Sequence, residues 1–205
     1  MRPSENITLR TSVFHKSLER PLVQVFTNGG IIYQDSAVDA SGQTREYEAT
    51  INGIELEAEI SKLGPFSLRG NVTYIDAVLN YFFDGGGTLS PVQSQLPFQP
   101  SLIANATLGY EYEPWAASAY LTYNFNGEYP TILKSNEDDF EVKRLANSTF
   151  DLVLAKKLET DDANYTVRCG VRNLLNTTDR YEFNGKVYSN DNVGRTYFLE
   201  AEVSF

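Results

Sequence analysis

Charged side chains at alternate positions are the residues of this 205-residue sequence best suited to chemistry. They alternate with apolar residues, so each group shares one face of an extended segment. Such a face could contact a substrate, or it could be the hydrated interior of a large barrel, which is the interpretation we favour. The set consists of Glu55, Glu57, Glu59, Glu200, Glu202, Arg168 and Arg172.

No combination of residues typical of an enzyme, a metal centre or a cofactor site is found. His15 lies beside Lys16 and is interpreted as an exposed residue at a strand end. Cys169 alternates with apolar neighbours and is interpreted as a small lipid-facing residue. The acidic run 136–139 lacks the glycine-punctuated spacing of a calcium loop, so we interpret it as a solvated loop. The glycine run 85–87 is not followed by the Lys and Ser or Thr of a phosphate-binding loop.

The composition excludes several classes of protein. A net charge of −10 argues against nucleic-acid binding, which requires clustered Lys and Arg. A single cysteine cannot form an intrachain disulfide. No apolar run approaches the length of a membrane helix, but a barrel strand needs none. The residues after Met1 lack the apolar core of a signal peptide, so we expect a mature form, a fragment or a truncated product.

Period-two alternation predicts an all-β chain with eight long strands. They cover about 6–16, 45–60, 66–82, 101–113, 117–125, 148–158, 164–173 and 195–205. In the second segment the apolar face Tyr47, Ala49, Ile51 changes phase at Gly53, which predicts a β-bulge at that point.

The connections between these segments are alternately short and long. The links 61–65, 113–115 and 159–163 are tight, whereas 17–44, 84–100, 126–147 and 176–194 are long. Short turns at one rim and long loops at the other are typical of an outer-membrane barrel. Clustering of Tyr and Phe near the strand ends also favours aromatic girdles at two membrane interfaces. The sequence therefore predicts an antiparallel transmembrane β-barrel in the outer membrane of a Gram-negative bacterium.

The C-terminal motifs resemble the closing strands of TonB-dependent receptors. The stretch 171–176 (Val-Arg-Asn-Leu-Leu-Asn) is followed by Arg180-Tyr181 and then by 194–197 (Gly-Arg-Thr-Tyr). In that family an Asn-Leu-Phe-Asn-like element precedes a Gly-Arg-x-aromatic final strand, and Leu175 stands here where Phe is common. The stretches 52–57 and 96–100 are also similar to recurrent elements of the family.

The resemblance implies that 205 residues form about eight strands of a larger, 22-stranded type of barrel. Residues 1–205 are then the C-terminal part of a receptor whose plug domain and N-terminal strands are absent. It also implies that the last strand carries a signal read by the barrel-assembly machinery. The residues of that signal are Tyr197, Leu199, Ala201, Val203 and Phe205.

The function implied by the resemblance is uptake of a scarce nutrient, with no enzymatic activity and no cofactor. The expected partners are outer-membrane lipid, TonB (contacted through the missing N-terminal region) and a small molecule such as a ferric siderophore, cobalamin or an oligosaccharide. The charged inward face would contact the plug or the substrate, and aromatic residues of the loops could bind a planar or apolar ligand. Those aromatics are Tyr33, Tyr81, Phe82, Phe83 and Tyr129.

Two alternatives remain open at this point. One is a small, complete eight-stranded barrel with a structural or adhesive role in the outer membrane. The other is a soluble acidic β-barrel that binds a hydrophobic ligand, which leaves the loop asymmetry and the terminal motif unexplained. The sequence does not specify the substrate or the ligand-binding residues, and it does not show whether Met1 is a native start.

Overall fold

A computed structural model describes residues 6–27, 29–84, 88–135 and 141–204. Within these residues no helix has the length and apolar character required to cross a membrane. The strands are β1 Ile7–Glu19, β2 Val23–Thr27, β3 Gly30–Gln34, β4 Ser36–Val38, β5 Thr44–Glu46, β6 Glu48–Leu63, β7 Phe66–Asp84, β8 Leu89–Gln95, β9 Leu102–Tyr112, β10 Ala117–Asn126, β11 Tyr129–Lys134, β12 Val142–Arg144, β13 Asn147–Glu159, β14 Asn164–Arg172, β15 Asp179–Phe183, β16 Lys186–Asp191 and β17 Thr196–Ser204.

The eight predicted strands are confirmed as the long strands of one antiparallel sheet. Their order is β1-β6-β7-β9-β10-β13-β14-β17, and β8 pairs with the far end of β7. Each strand pairs with the next long strand along the chain, as in an up-and-down barrel wall. In the described part of the chain β1 and β17 do not pair with each other, so the sheet has two free edges. The small closed barrel is therefore not the arrangement observed.

We call the end of the sheet with the short turns its lower part. One face of the sheet, which we call the outer face, is apolar and exposed along the lower part of every long strand. Cross-strand neighbours on it are apolar in succession: Leu56 is opposite Val72, and Leu108 is opposite Leu121. Leu9 and Leu199, near the two free edges, are 76% and 77% exposed. Soluble monomers rarely expose a continuous apolar surface of this extent, because water disfavours it. The outer face is suited to contact with lipid.

The opposite, inner face is polar over the same height and includes aromatic rings that lie against glycines. The ring of Phe198 lies over Gly170, directly opposite it, so that a Cβ on Gly170 would come within 2.7 Å of that ring. The ring of Tyr120 lies over Gly109 in the same way. Because glycine has no side chain, these rings lie flat on the wall and do not project from it.

Nine shorter strands complete the described fold, and all but β5 lie in segments that were predicted to be long connections. Six of them form a second sheet in the order β16-β15-β12-β11-β2-β3, which we call the loop sheet. It combines the connections after β1, β10 and β14, and a parallel pairing of β11 with β2 joins them. Strands β4 and β5 form a separate hairpin.

A hydrophobic core lies between the loop sheet and the upper part of the inner face. Ala49 of β6, Leu79 of β7 and Tyr47, the residue before β6, are each 0–1% exposed. They pack with Val25 of β2 and Leu133 of β11, each 1% exposed. The loop sheet is thus fixed by a core that contains residues of both layers.

The predicted bulge at Gly53 is wrong. The pairing of β6 with β1 and β7 is continuous through Gly53, and a register shift occurs only between Ile60 and Leu63. The apolar pattern changes phase because the lower half of β6 turns Ile54 and Leu56 outward, whereas its upper half places Ala49 and Ile51 under the loop sheet.

Candidate functional site

The inner face carries a network of ionic and amide side chains across β1, β6, β7 and β9. Arg10 Nη1 lies 3.2 Å from a Glu57 carboxylate oxygen, and Arg69 Nη2 lies 3.6 Å from the other. Asn71 donates a hydrogen bond of 3.2 Å to Glu55, and Asn105 donates one of 3.1 Å to Asn71. Two arginines on the wall thus pair with Glu57, and a neighbouring amide hydrogen-bonds Glu55.

A second charged group lies at the other end of the sheet, on β14 and β17. Arg168 Nη1 lies 2.9 Å from Glu200 and 2.9 Å from Glu202, and Arg172 stacks on Phe198 with its guanidinium carbon 5.5 Å from the ring centre. All the predicted charged residues share the inner face, as expected. The structure does not gather them into one site, because β9, β10 and β13 separate the two groups.

Five loop aromatics were predicted as possible ligand contacts, and they occupy different environments. Tyr33 is 65% exposed on β3, whereas Tyr81 is only 3% exposed and packs edge-on against Tyr47. Tyr81 is thus a core residue and does not present a surface to a ligand. Phe82, Phe83 and Tyr129 are half-buried.

Cationic and aromatic side chains meet at the loop sheet. Lys134 Nζ lies 5.5 Å from the ring centre of Phe83, and Arg144 lies 5.6 Å from that of Tyr129. Phe98, which is 56% exposed, also packs against Tyr129, with tilted rings whose centres are 6.3 Å apart. We call Phe98, Tyr129 and Arg144 the loop-sheet cluster; neighbouring rings beside a cation can bind a planar or anionic molecule.

Arg144 is held in place by a polar contact with the following strand segment. Its Nη2 lies 2.6 Å from Asp179 Oδ1, and Asn147 donates a short hydrogen bond to the same oxygen. Within the described residues, Asn147 Oδ1 is the buried side-chain acceptor that lacks a hydrogen-bond partner.

Sequence reasoning missed Phe98, Arg144 and Asp179 as members of a site. Phe98 lies in the stretch 96–100, which was noted only for its resemblance to the family. Its backbone φ of 61° is unusual for an aromatic residue, and its N–H donates to Pro130 O at 3.0 Å. No local sequence signal indicates the contact between Arg144 and Asp179, because it depends on the pairing of β12 with β15.

Tyr47 has a strongly perturbed phenol in the core beneath the loop sheet. Burial, assisted by the negative charge of Asp35, raises the pKa of Tyr47 to about 12. Its hydroxyl hydrogen-bonds Gln34 Oε1 at 3.2 Å. The phenol therefore stays protonated at physiological pH and contributes packing and one hydrogen bond rather than acid–base chemistry.

The residues predicted as the assembly signal lie in a row on the outer face of β17. Tyr197 and Leu199 are 73% and 77% exposed, Val203 is 45% exposed and Ala201 is exposed as well. Phe205 lies outside the described residues. Their common orientation agrees with the predicted alternation, and their role as a signal stays a prediction.

The remaining candidates show no chemistry. His15 Nδ1 lies 2.8 Å from Asn52 Oδ1 at an exposed position, and Cys169 is exposed opposite Leu154 and Leu199 on the outer face. Among the described residues no group of three or more His, Cys, Asp or Glu side chains could hold a metal ion. The acidic run 136–139 and the glycine run 85–87 lie outside the described residues.

Comparison with known proteins identifies similar sequences and folds. A family model described as "TonB dependent receptor-like, beta-barrel" matches residues 3–174. The comparison with curated proteins finds no match.

Two solved structures share the fold over nearly the whole chain. The siderophore receptor PiuA from Acinetobacter baumannii superposes with a TM-score of 0.63 at 15% identity, and the match covers 97% of this chain and 26% of that one. The copper transporter OprC superposes with a TM-score of 0.62 at 18% identity, covering 97% and 29%. The chain thus spans 26–29% of the length of these proteins.

Proposed function

Since the chain belongs to the TonB-dependent receptor-like β-barrel family, we propose that residues 1–205 form the C-terminal part of a receptor barrel in the outer membrane of a Gram-negative bacterium. The family consists of transporters rather than enzymes. The observation that carries the proposal is the open sheet, whose outer face is apolar and whose edges β1 and β17 are unpaired in the described residues. Unpaired edges are not tolerated in lipid, so other strands must complete the wall.

The length of the similar structures supports this assignment. Eight long strands make up a little over a third of a 22-stranded barrel. The rest of the receptor would supply the missing strands, a plug and the segment that contacts TonB. The inner-face network then faces the plug: Arg10, Arg69 and Arg168 are more than a third exposed, so part of their hydrogen-bonding capacity is available to it.

We propose that the transported ligand is a scarce nutrient, with a ferric siderophore as the first candidate and cobalamin or an oligosaccharide as the others. The loop-sheet cluster supports a planar, anionic ligand, because it places two neighbouring rings next to Arg144. Chelates with aromatic groups and net negative charge fit such a surface better than neutral sugars do.

The test is an uptake assay with the intact polypeptide that the gene encodes. Cells with and without the gene are supplied with radiolabelled ferric siderophores, cobalamin or oligosaccharides, with and without a proton-motive-force uncoupler. We expect gene-dependent, uncoupler-sensitive uptake of one ligand. Phe98→Ala should weaken its binding about fivefold, as loss of one aromatic contact costs on the order of 1 kcal/mol, whereas the outer-face control Leu121→Ala should not. Recovery of the protein in the soluble fraction, or uptake that is unaffected by deleting the gene, would refute the proposal.

A further inference from the structure

The Asn-Leu-Leu-Asn stretch and the Gly-Arg pair, which the sequence analysis noted only as a resemblance, are in contact in the structure. Asn173 directly follows β14, and Gly194 and Arg195 directly precede β17. The β15–β16 hairpin separates the two motifs along the chain. They are brought together at the point where the last two long strands begin to pair, with Arg172 opposite Thr196.

The side chain and the backbone N–H of Asn173 make four hydrogen bonds at this point. Its side-chain Nδ2 donates to Thr177 O at 2.9 Å and to Gly194 O at 3.2 Å, and its Oδ1 accepts from Thr177 N at 2.8 Å. Its own N–H donates to Asp151 Oδ1 at 2.8 Å, which connects it to β13. The backbone of Asn173 has a φ of 53°, a left-handed conformation that Asn tolerates better than most residues.

A second contact joins the two motifs in the opposite direction. Arg195 Nε donates to Leu174 O at 2.8 Å, while Leu174 N donates to Phe150 O at 2.7 Å. Gly194 has a φ of 77°, which a side chain would disfavour, and its N–H is bound by Asn192 Oδ1 at 2.8 Å. The entry to β17 is therefore fixed relative to both β13 and β14.

The rest of β17 does not specify its register as strongly. A slip of two residues keeps Tyr197, Leu199 and Ala201 on the outer face, so the hydrophobic pattern is preserved. Arg168 contacts Glu200 and Glu202 together, so a slipped strand would still offer it a carboxylate. The native register is distinguished from a two-residue slip by the fit of the Phe198 ring over Gly170 and by the contacts at the start of the strand.

We propose that Asn173 is the positioning residue that sets the register of the terminal strand β17 against β14. The side-chain amide does this by bridging the end of one strand to the residue that precedes the other. The inference goes beyond transport and holds for whichever ligand the receptor carries. Two motifs about twenty positions apart in the chain each supply one side of the same contact.

The native cysteine allows a direct test. Cys169 is opposite Leu199, and residues directly opposite have Cα atoms about 4.5–5.5 Å apart, within disulfide range. A cysteine at Ala201 is diagonal in the native register, at roughly 7–8 Å, and becomes opposite only after a two-residue slip. Leu199→Cys therefore reports the native register, and Ala201→Cys reports the slip. Both are made in the intact polypeptide recovered from the outer membrane, with any other cysteine replaced by Ser, and are oxidised with a lipid-soluble oxidant.

The deciding variant is Asn173→Gly, which keeps the left-handed backbone and removes the amide. Of the three side-chain hydrogen bonds that are lost, the one to Gly194 O reaches the segment before β17, and at roughly 1 kcal/mol it predicts about a fivefold rise in the ratio of the Ala201→Cys disulfide to the Leu199→Cys disulfide. Asn173→Asp keeps the acceptor for Thr177 N but loses the donor to Gly194 O, so it should also raise the ratio. Asn176→Gly is the matched control: Asn176 also has a positive φ, 57°, but none of the described contacts to β17.

The disulfide ratios in the Asn173 variants and in the control decide the proposal. The parental ratio in Asn173→Gly would overturn the proposal, as would an equal rise in Asn176→Gly. A raised ratio confined to the Asn173 variants supports it. If Asn173→Gly does not accumulate in the membrane, Asn173→Asp decides by the same ratio.

Discussion

The core beneath the loop sheet predicts a local effect that can be measured separately from the stability of the barrel wall. Leu133 of β11 is 1% exposed and packs with residues of β2, β6 and β7. Leu133→Ala removes most of a buried side chain, and substitutions of this kind cost about 2–5 kcal/mol when the surroundings do not collapse into the space. At about 1.4 kcal/mol for each factor of ten, the equilibrium constant for opening of the loop sheet should rise at least about thirtyfold.

Hydrogen exchange measured by mass spectrometry tests this expectation. Amides in β2 and β11 should exchange at least about thirtyfold faster in Leu133→Ala, because these two strands pair with each other and share the core. Peptides from β9 and β10 serve as the internal reference and should be unchanged. The matched control is Leu121→Ala, which makes the same chemical change on the outer face, where Leu121 is 37% exposed.

Two results would refute the reasoning. If β2 and β11 keep their protection in Leu133→Ala, the core does not fix the loop sheet. If β9 and β10 lose protection to the same extent, the loop sheet and the wall unfold together and the core is not a separate unit.

Three further predictions concern individual side chains. The pKa of Tyr47 is raised to about 12 from 10 in the unfolded chain, so the stability that its neutral phenol contributes is complete below pH 10 and is lost as the pH rises toward 12. Hydrogen exchange of β2 amides should therefore accelerate between pH 10 and 12. The acceleration should be smaller in Tyr47→Phe, which has no phenol to ionise. Gly170→Ala should destabilise the protein by about 1–3 kcal/mol, because the new Cβ meets the backbone oxygen of Leu152 at 2.6 Å and the Phe198 ring at 2.7 Å. Urea unfolding should show only partial recovery when Phe198→Ala is added, since the contact with Leu152 O remains, and full additivity of the two changes would contradict this. Arg144→Gln should lower the local stability of the β12–β15 region by on the order of 1–2 kcal/mol, because it leaves the half-buried Asp179 without its cation. The double variant Arg144→Gln with Asp179→Asn should lose less stability. Equal hydrogen exchange of this region in the parent protein and in Arg144→Gln would rule this out.

The wall of the sheet was predictable from sequence, whereas the loop sheet was not. In the long strands each residue faces either lipid or a polar interior. The alternation of Leu102, Leu108 and Tyr110 with polar neighbours therefore predicts both the strand and the face on which each residue lies. In β2 and β11 the pairing partners are far apart in the sequence, and each strand is only five or six residues long. Such segments have no periodicity of their own, and their structure depends on contacts that a sequence pattern does not show.

The candidate site follows the same division. The inner-face carboxylates were identified because Glu55, Glu57 and Glu59 alternate along one strand, and the structure confirms their common face. Arg144 was not identified, because its importance arises from Asp179, which belongs to another loop. The wrong prediction of a bulge at Gly53 has a similar cause. The strand β6 is regular, but its apolar residues face outward in its lower half and face the loop sheet in its upper half, so the apolar pattern changes phase without a bulge.

The parallel pairing of β2 with β11 has a consequence for the order of folding. Hairpins such as β6–β7 or β13–β14 close over a few residues and can form as soon as their second strand is available, because short loops cost little entropy to close. The β2–β11 pairing requires that β6, β7, β9 and β10 first take their places in the wall, since those strands lie between the two segments in the chain. Contacts between distant segments form slowly. The loop sheet should therefore be the last element to form, after an intermediate in which the wall is complete and its mouth is still open.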